Sequence, residues 1–312
     1  MSTVSHEQYL GCLLGQAVGD GLGAPYEGLL SEHIYYSFGP PNELVGNPSG
    51  ETLYYTDDTE MMISVGETLL DHGEIVEDAL CRAFVDNYHP QRGYGQGARR
   101  ILETMGTGGD WRGLAATVFP GGSLGNGAAM RAAPIGLFFH SDLDKVAEQA
   151  RLSALPTHVH PIGIEGAQLF AMAVALAARG APFDRDAFYR ELIARCQGDE
   201  FRWQLGAASK LRSKHTFSFL GNSLEAHRSV ISAIACFTVN PNSFEDAIAR
   251  AIGMGNDTDT LAAMAGALSG THLGVDAIPS RLIEQLEEQG KGGAYIRQLA
   301  TRLYQKRDGL SG

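Results

Sequence analysis

Between Ile164 and Arg179 the chain is apolar on nearly every side of a helical turn, and no other stretch constrains the fold as much. A helix with no polar face has to be surrounded by other elements. Its most apolar run, Leu169 to Ala178, is ten residues long, about half the ~20 that a bilayer requires. The segment therefore predicts the central helix of a sizeable bundle rather than a membrane span.

Helical periodicity dominates elsewhere too. From Asp57 to Asp71 the residues Met61, Met62, Val65, Leu69 and Leu70 fall on one helical face, and Gly73 supplies a stop. Asp246 to Met254 and Thr260 to Leu268 read as two more helices, the second rich in small residues and able to pack closely. Ile278 to Gln289 reads as an exposed amphipathic helix. Strand-type alternation is nearly absent. No repeat of roughly 20–50 residues is visible, which sets aside a solenoid. No Ser/Pro-rich linker divides the 312 residues. The expectation is one all-α domain over 1–312, a compact multi-helix bundle.

Charge and cysteines narrow the classes. With 24 Lys+Arg against 36 Asp+Glu the net charge is −12, which argues against a polyanion held by bulk charge, so no direct nucleic-acid binding is expected. The N-terminal MSTVSHEQYL lacks a basic region followed by an apolar one. Cys12, Cys81, Cys196 and Cys236 form no CxxC pair, which fits neither a zinc knuckle nor a disulfide framework. A cytoplasmic, membrane-free monomer is the plain expectation.

Two acidic clusters stand out: YTDDTE, with Thr56, Asp57, Asp58 and Thr59, and GNDTDT, with Asp257, Asp259 and Thr260. Each sits where a helix should begin. Asp and Thr are good N-caps, and Asp57 with Glu60 has capping-box spacing, so capping explains either cluster alone. Together they exceed what two caps need. Packed against each other, four carboxylates would repel unless a cation lay between them. An all-oxygen ligand set suits Mg²⁺, Mn²⁺ or Ca²⁺ rather than zinc.

Glycine clusters at Gly11–Gly28, Gly93–Gly97 and Gly121–Gly127. Such clusters read first as turns, although they also let backbone approach a ligand closely. GGSLGNG can present amides to phosphates, yet it has neither a Walker A ending nor a preceding strand. Glu27 follows Pro25 on a loop near a helix end, where a surface charge is the ordinary reading. His158 and His160 of THVHP read as packing or surface residues on their own.

Taken in order, these segments resemble the ADP-ribosylglycohydrolase family. The likeness runs from GCLLGQAVGDGLGAPYEG at Gly11 through YTDDTEM, RGYGQGARR, GSLGNGAAMRAAPIG, LPTHVHPIG and LGNSLEAH to GNDTDTLAAMAGALSGTHLG ending at Gly274. RGYGQG and GSLGNGAAMR bring it closest to the branch acting on serine-linked ADP-ribose. The resemblance implies an all-α, metal-dependent hydrolase that removes ADP-ribose from a modified protein or acts on an ADP-ribose-containing small molecule. It implies two divalent cations, Mg²⁺ or Mn²⁺, on Thr56, Asp57, Asp58, Asp257, Asp259 and Thr260. Glu27 matches a mobile-loop glutamate and is the candidate for proton transfer, with Asp58 or Asp259 as a metal-held base. Gly122, Ser123, Gly125 and Asn126 match the segment that holds the diphosphate, and His158 matches a ribose-contacting histidine. Gly93, Gly95 and Gly97 are expected on the substrate side as well.

The chain departs from the family pattern at two places. Asn256 stands where relatives commonly carry glycine, and asparagine visits left-handed backbone more readily than most residues. Leu124, also expected at the substrate, stands where an aromatic residue can stack on adenine. Rival readings are an ADP-ribosyl-arginine hydrolase and a non-catalytic ADP-ribose-binding protein. An isoprenoid synthase fits poorly, because the DDxxD position after Asp57 and Asp58 holds Met61.

Overall fold

The computed structural model describes residues 4–309 apart from 49, 181, 213–216 and 218. Within them the first glycine cluster corrects the sequence expectation. Gly11 to Gly23 is no turn; it belongs to one helix, His6–Gly23, entered through a capping box between Ser5 and Gln8. Gly11, Gly15, Gly19 and Gly23 recur every fourth residue and so share a face. That face lies against helix Thr258–Leu273, the small-residue segment of the sequence. A Cβ on Gly11, Gly15 or Gly19 would sit 2.2, 2.6 and 2.1 Å from the carbonyl oxygens of Gly270, Gly266 and Ala262. Backbone meets backbone along this seam. Glycine costs about 1 kcal/mol per position in a helix interior, and close dispersion contact along the seam offsets it.

The expected helices are present, with shifted ends. Asp57–His72 closes on Gly73 in the left-handed conformation at φ 77°. Phe244–Ile252 supplies the segment near Asp246. Pro161–Ala177 is buried continuously from Glu165 to Ala177 and packs on Leu143–Ala154, Ala133–Phe138 and Ala226–Val239. It is the central helix that its apolar sequence required. His160, read as packing or surface, caps this helix by accepting from the Ile162 amide at 3.1 Å.

Ile278 to Gln289 is a second correction. A 3₁₀ turn, Val275–Ala277, and a five-residue helix, Ser280–Glu284, replace the expected amphipathic helix. Ile278, Leu282 and Leu286 still face the core, but the chain leaves the helix to pair with Leu53. The Leu53 amide donates to Gln285 O at 2.7 Å and the Glu287 amide to Leu53 O at 3.1 Å. Helical hydrogen bonds were traded for tertiary ones.

Among the described residues there is no strand beyond isolated bridges, and the buried apolar side chains form one contiguous core. All four cysteines are free and buried. No described helix is long and apolar enough to cross a membrane.

Candidate active site

Two helices begin at the same place. Thr56 caps Asp57–His72, its hydroxyl accepting from the Asp58 amide at 3.4 Å. Asp57 and Glu60 do not form the capping box their spacing allows. Glu60 instead accepts from the Tyr94 hydroxyl at 2.8 Å and the His89 amide at 3.0 Å. Asp257 stands in the cap position of Thr258–Leu273, yet its side chain caps nothing. Capping thus accounts for Thr56 and leaves four carboxylates over.

The loop before the second helix turns through Asn256 at φ 60°, the one positive-φ residue other than glycine among those described. Asparagine tolerates that conformation, as expected of this departure. The loop is clamped to the Glu27 loop: the Gly28 amide donates to Asn256 O at 2.7 Å, and the Asn256 amide to Leu29 O at 2.6 Å. Glu27, Asp257 and Asp259 are thereby gathered, each offering a carboxylate oxygen within 4.8 Å of the others. From the second helix the Thr260 hydroxyl donates to Asp58 Oδ2 at 3.1 Å. The two acidic clusters share one site.

Burial pushes Asp58, Asp259 and Asp57 well above the ordinary carboxylate value. Repulsion adds to it: Asp259 acts on Asp58, Asp257 on Asp259, and Asp20 on Asp57. Asp257 is also raised by burial, opposed by the Asn126 amide, which donates to its Oδ2 at 2.5 Å. Asp58 Oδ1 and Asp259 Oδ1 are buried without any hydrogen-bond partner. Facing carboxylates with unmatched buried acceptors call for a cation, and an all-oxygen set fits a hard divalent ion. The residues present can hold a metal.

These residues form one wall of a cavity of about 560 Å³. Gly93, Gly95 and Gly97 line it beside Phe119, and a Cβ on Gly97 would lie 2.0 Å from that ring. Gly122, Ser123, Leu124, Gly125, Asn126 and His158 line the remainder. Gly122, at φ 88°, would bring a Cβ to 2.4 Å from the His160 amide nitrogen, so only glycine fits there. The loop is pinned by the Asn126 amide donating to Leu224 O at 2.8 Å and the Ala226 amide to Leu124 O at 2.9 Å. Leu124 keeps 37% of its surface exposed at the cavity edge.

The sequence profile of the ADP-ribosylglycohydrolase family matches residues 1–311. The chain belongs to the ADP-ribosylglycohydrolase family. It is 33% identical over 337 residues to the ADP-ribosylhydrolase ARH3 of Danio rerio, covering 95% of this chain and 90% of that protein. It is 31% identical over 310 residues to an uncharacterized protein of Archaeoglobus fulgidus, covering 96% of each. A solved ADP-ribosylglycohydrolase-related protein complex aligns with a TM-score of 0.74 at 26% identity, over 96% of this chain and 98% of that one. The all-α fold and the glycohydrolase class are those of the family.

In this ADP-ribosylglycohydrolase every site residue expected from the sequence lines the cavity except Thr56, which sits behind Asp57 and Asp58 as their cap. Other residues of the site carry weaker signals in the sequence. Asp20, fully buried on His6–Gly23, accepts from the Thr56 amide at 2.9 Å, the Thr59 amide at 3.1 Å and the Thr59 hydroxyl at 2.6 Å. Burial raises it to about 6 against those donors. The signal was Gln16 and Asp20, a polar pair four apart in a helix that carries no other polar side chain after Tyr9. Gln16 donates to Met130 O at 2.8 Å and Asp58 O at 3.3 Å. Asn126 was read for phosphate alone, whereas its side chain points at Asp257. Arg131 ends the GSLGNGAAMR segment, but neither its spacing nor its neighbours marked it as a site residue.

Proposed function

We propose that this chain hydrolyses the C1″ glycosidic bond of ADP-ribose attached to protein serine, using two divalent cations, Mg²⁺ or Mn²⁺. One observation carries the reading: two helix starts bring Asp57, Asp58, Asp257, Asp259 and Thr260 to a cavity that a glycine-rich loop also lines. An acidic wall suited to cations beside an amide-rich wall suited to phosphates matches the two chemistries of ADP-ribose. The serine linkage rests on the likeness of RGYGQG and GSLGNGAAMR to the serine-acting branch.

Thr56, Asp57, Asp58, Asp257, Asp259 and Thr260 are the residues that would hold the cations. When bound there, divalent cations supply Lewis acidity toward ribose hydroxyls and water. Departure of the aglycone through an oxocarbenium-like transition state needs a proton delivered to the leaving oxygen. Glu27, exposed on the loop that Asn256 clamps, moves that proton in this reading. Asp58 or Asp259, each with a free buried oxygen, takes the proton from the attacking water. The Gly122–Asn126 loop orients the diphosphate chiefly through the Ser123 and Leu124 amides, since those of Gly122, Gly125 and Asn126 donate to Phe119 O, Ser123 Oγ and Leu224 O, and His158 contacts the ribose. The partner is accordingly an ADP-ribosylated protein or a small molecule bearing ADP-ribose.

The test is release of ADP-ribose from serine-modified and arginine-modified peptides, with Mg²⁺ and with EDTA. Metal-dependent release from serine alone supports the proposal. Release from arginine alone keeps the metal site and overturns the linkage, and binding of ADP-ribose without release from either overturns catalysis. Glu27→Gln should bind ADP-ribose normally and lose about 10²–10⁴-fold in rate; a wild-type rate would remove Glu27 from the mechanism.

A further inference from the structure

Arg131 is a fully buried arginine on the cavity lining, with 1% of its surface exposed. Its Nη2 donates to Ser153 O at 2.6 Å and Thr157 Oγ1 at 2.8 Å, and its Nη1 lies 3.6 Å from Met61 Sδ. The ring of Phe84 lies under the guanidinium at 4.5 Å. Burial lowers Arg131 to about 9, so it remains a cation at neutral pH.

The direction of each hydrogen bond beyond Arg131 follows from its chemistry. Arginine only donates, so the Thr157 hydroxyl oxygen spends a lone pair on it. The hydroxyl proton has two acceptors in reach, Ala154 O at 3.5 Å and His158 Nδ1 at 2.7 Å. Ala154 O already accepts from the Thr157 amide at 3.0 Å and the His158 amide at 2.8 Å, which fills both its lone pairs. The hydroxyl therefore donates to Nδ1. Burial, with the Arg131 charge behind it, pushes His158 down to about 3, so the ring is neutral. With Nδ1 accepting, the ring proton resides on Nε2. That nitrogen lies against the glycine loop: a Cβ on Gly125 or Gly127 would be 3.5 Å from it.

We infer that Arg131 is a positioning residue which, through Thr157, fixes His158 as the Nε2–H tautomer, so that the imidazole donates a hydrogen bond to a substrate oxygen. A ribose hydroxyl or a phosphate oxygen meets that requirement, and a group that only donates does not. The identity of the oxygen rests on the hydrolase reading above; the tautomer does not.

The experiment uses full-length protein with ¹⁵N-labelled histidine and reads the two-bond ¹H–¹⁵N correlations of His158 without substrate. Wild type is expected to show protonated Nε2 and bare Nδ1, and a protonated Nδ1 overturns the inference. Thr157→Val, which keeps the volume and removes the hydroxyl, should populate both tautomers. On the most active ADP-ribosylated peptide it should lose about three- to tenfold in kcat/KM, chiefly through KM, the worth of one neutral hydrogen bond. Thr157→Ser should restore both signatures. Arg131→Gln should shift the tautomer as Thr157→Val does, and where it fails to fold the Thr157 pair decides. Thr157→Val with wild-type tautomer and kcat/KM overturns the inference. An inactive wild type with protonated Nε2 refutes the hydrolase reading and upholds this one.

Discussion

Gly23 is the point where the glycine seam reaches the active site, and Gly23→Ala tests whether the seam positions the acidic residues. The new Cβ would lie 2.4 Å from Thr258 O and 2.7 Å from Asp259 Cα. Unstrained carbon atoms sit about 3.5–4.0 Å apart, so the start of Thr258–Leu273 has to retreat by about 1 Å. Overpacking of this kind costs about 1–3 kcal/mol, and alanine returns up to about 1 kcal/mol of helix propensity. The net loss is small, visible as a fall in Tm of a few degrees at about 2–4 °C per kcal/mol. Catalysis is far less tolerant, since a misplacement of about 1 Å costs on the order of 100-fold. Gly11→Ala is the control. It makes a similar clash, 2.2 Å from Gly270 O, but twelve residues earlier, about 18 Å along the helix at 1.5 Å per residue. Differential scanning fluorimetry and steady-state ADP-ribose release should show similar Tm losses for both variants, with the large rate loss confined to Gly23→Ala. Equal rate losses, or a wild-type rate in Gly23→Ala, would refute the argument.

Two further predictions follow from the same geometry. Asn126→Ala removes the donor to Asp257 Oδ2 and should weaken Mn²⁺ binding about 10- to 100-fold by calorimetry, as loss of a ligand-orienting partner does; unchanged affinity would confine Asn126 to the loop. Chelated protein should be more stable at pH 5 than at pH 7, because Asp20, raised to about 6, and Asp57, Asp58 and Asp259, pushed well above the ordinary carboxylate value by burial, hold protons more tightly folded than unfolded. Their contribution is full below the unfolded value near 4 and is lost as pH rises through the folded values. Adding Mn²⁺ should reverse the trend by favouring the ionised site, and a Tm independent of pH after chelation would contradict the raised carboxylates.

Much of this protein could be read from residue order. The unrelieved apolar stretch at Ile164–Arg179 demanded a surrounded helix, and Pro161–Ala177 is one. The surplus of acids over caps at Asp57–Asp58 and Asp257–Asp259 demanded a shared charge-balancing site, and the Thr260–Asp58 hydrogen bond joins them. These readings succeeded because burial and charge repulsion are local demands that a short segment either meets or does not. Asn256 belongs with them, since its left-handed backbone is a property of one residue.

What the fold decided depends on partners far apart in sequence. Gly11, Gly15, Gly19 and Gly23 punctuate a turn or line a helix contact according to whether another small-residue face lies opposite, and Gly266 and Gly270 supply it from some 250 residues away. Ile278–Gln289 gave up its helix because Leu53 offered backbone hydrogen bonds. Asp20 joined the site only because the seam carries its helix past Thr56 and Thr59. The proton on His158 is placed by Arg131 and by a carbonyl whose lone pairs are already taken. Periodicity and charge excess are written along the chain; close approach, and the hydrogen-bond directions it dictates, arise only when separate elements meet.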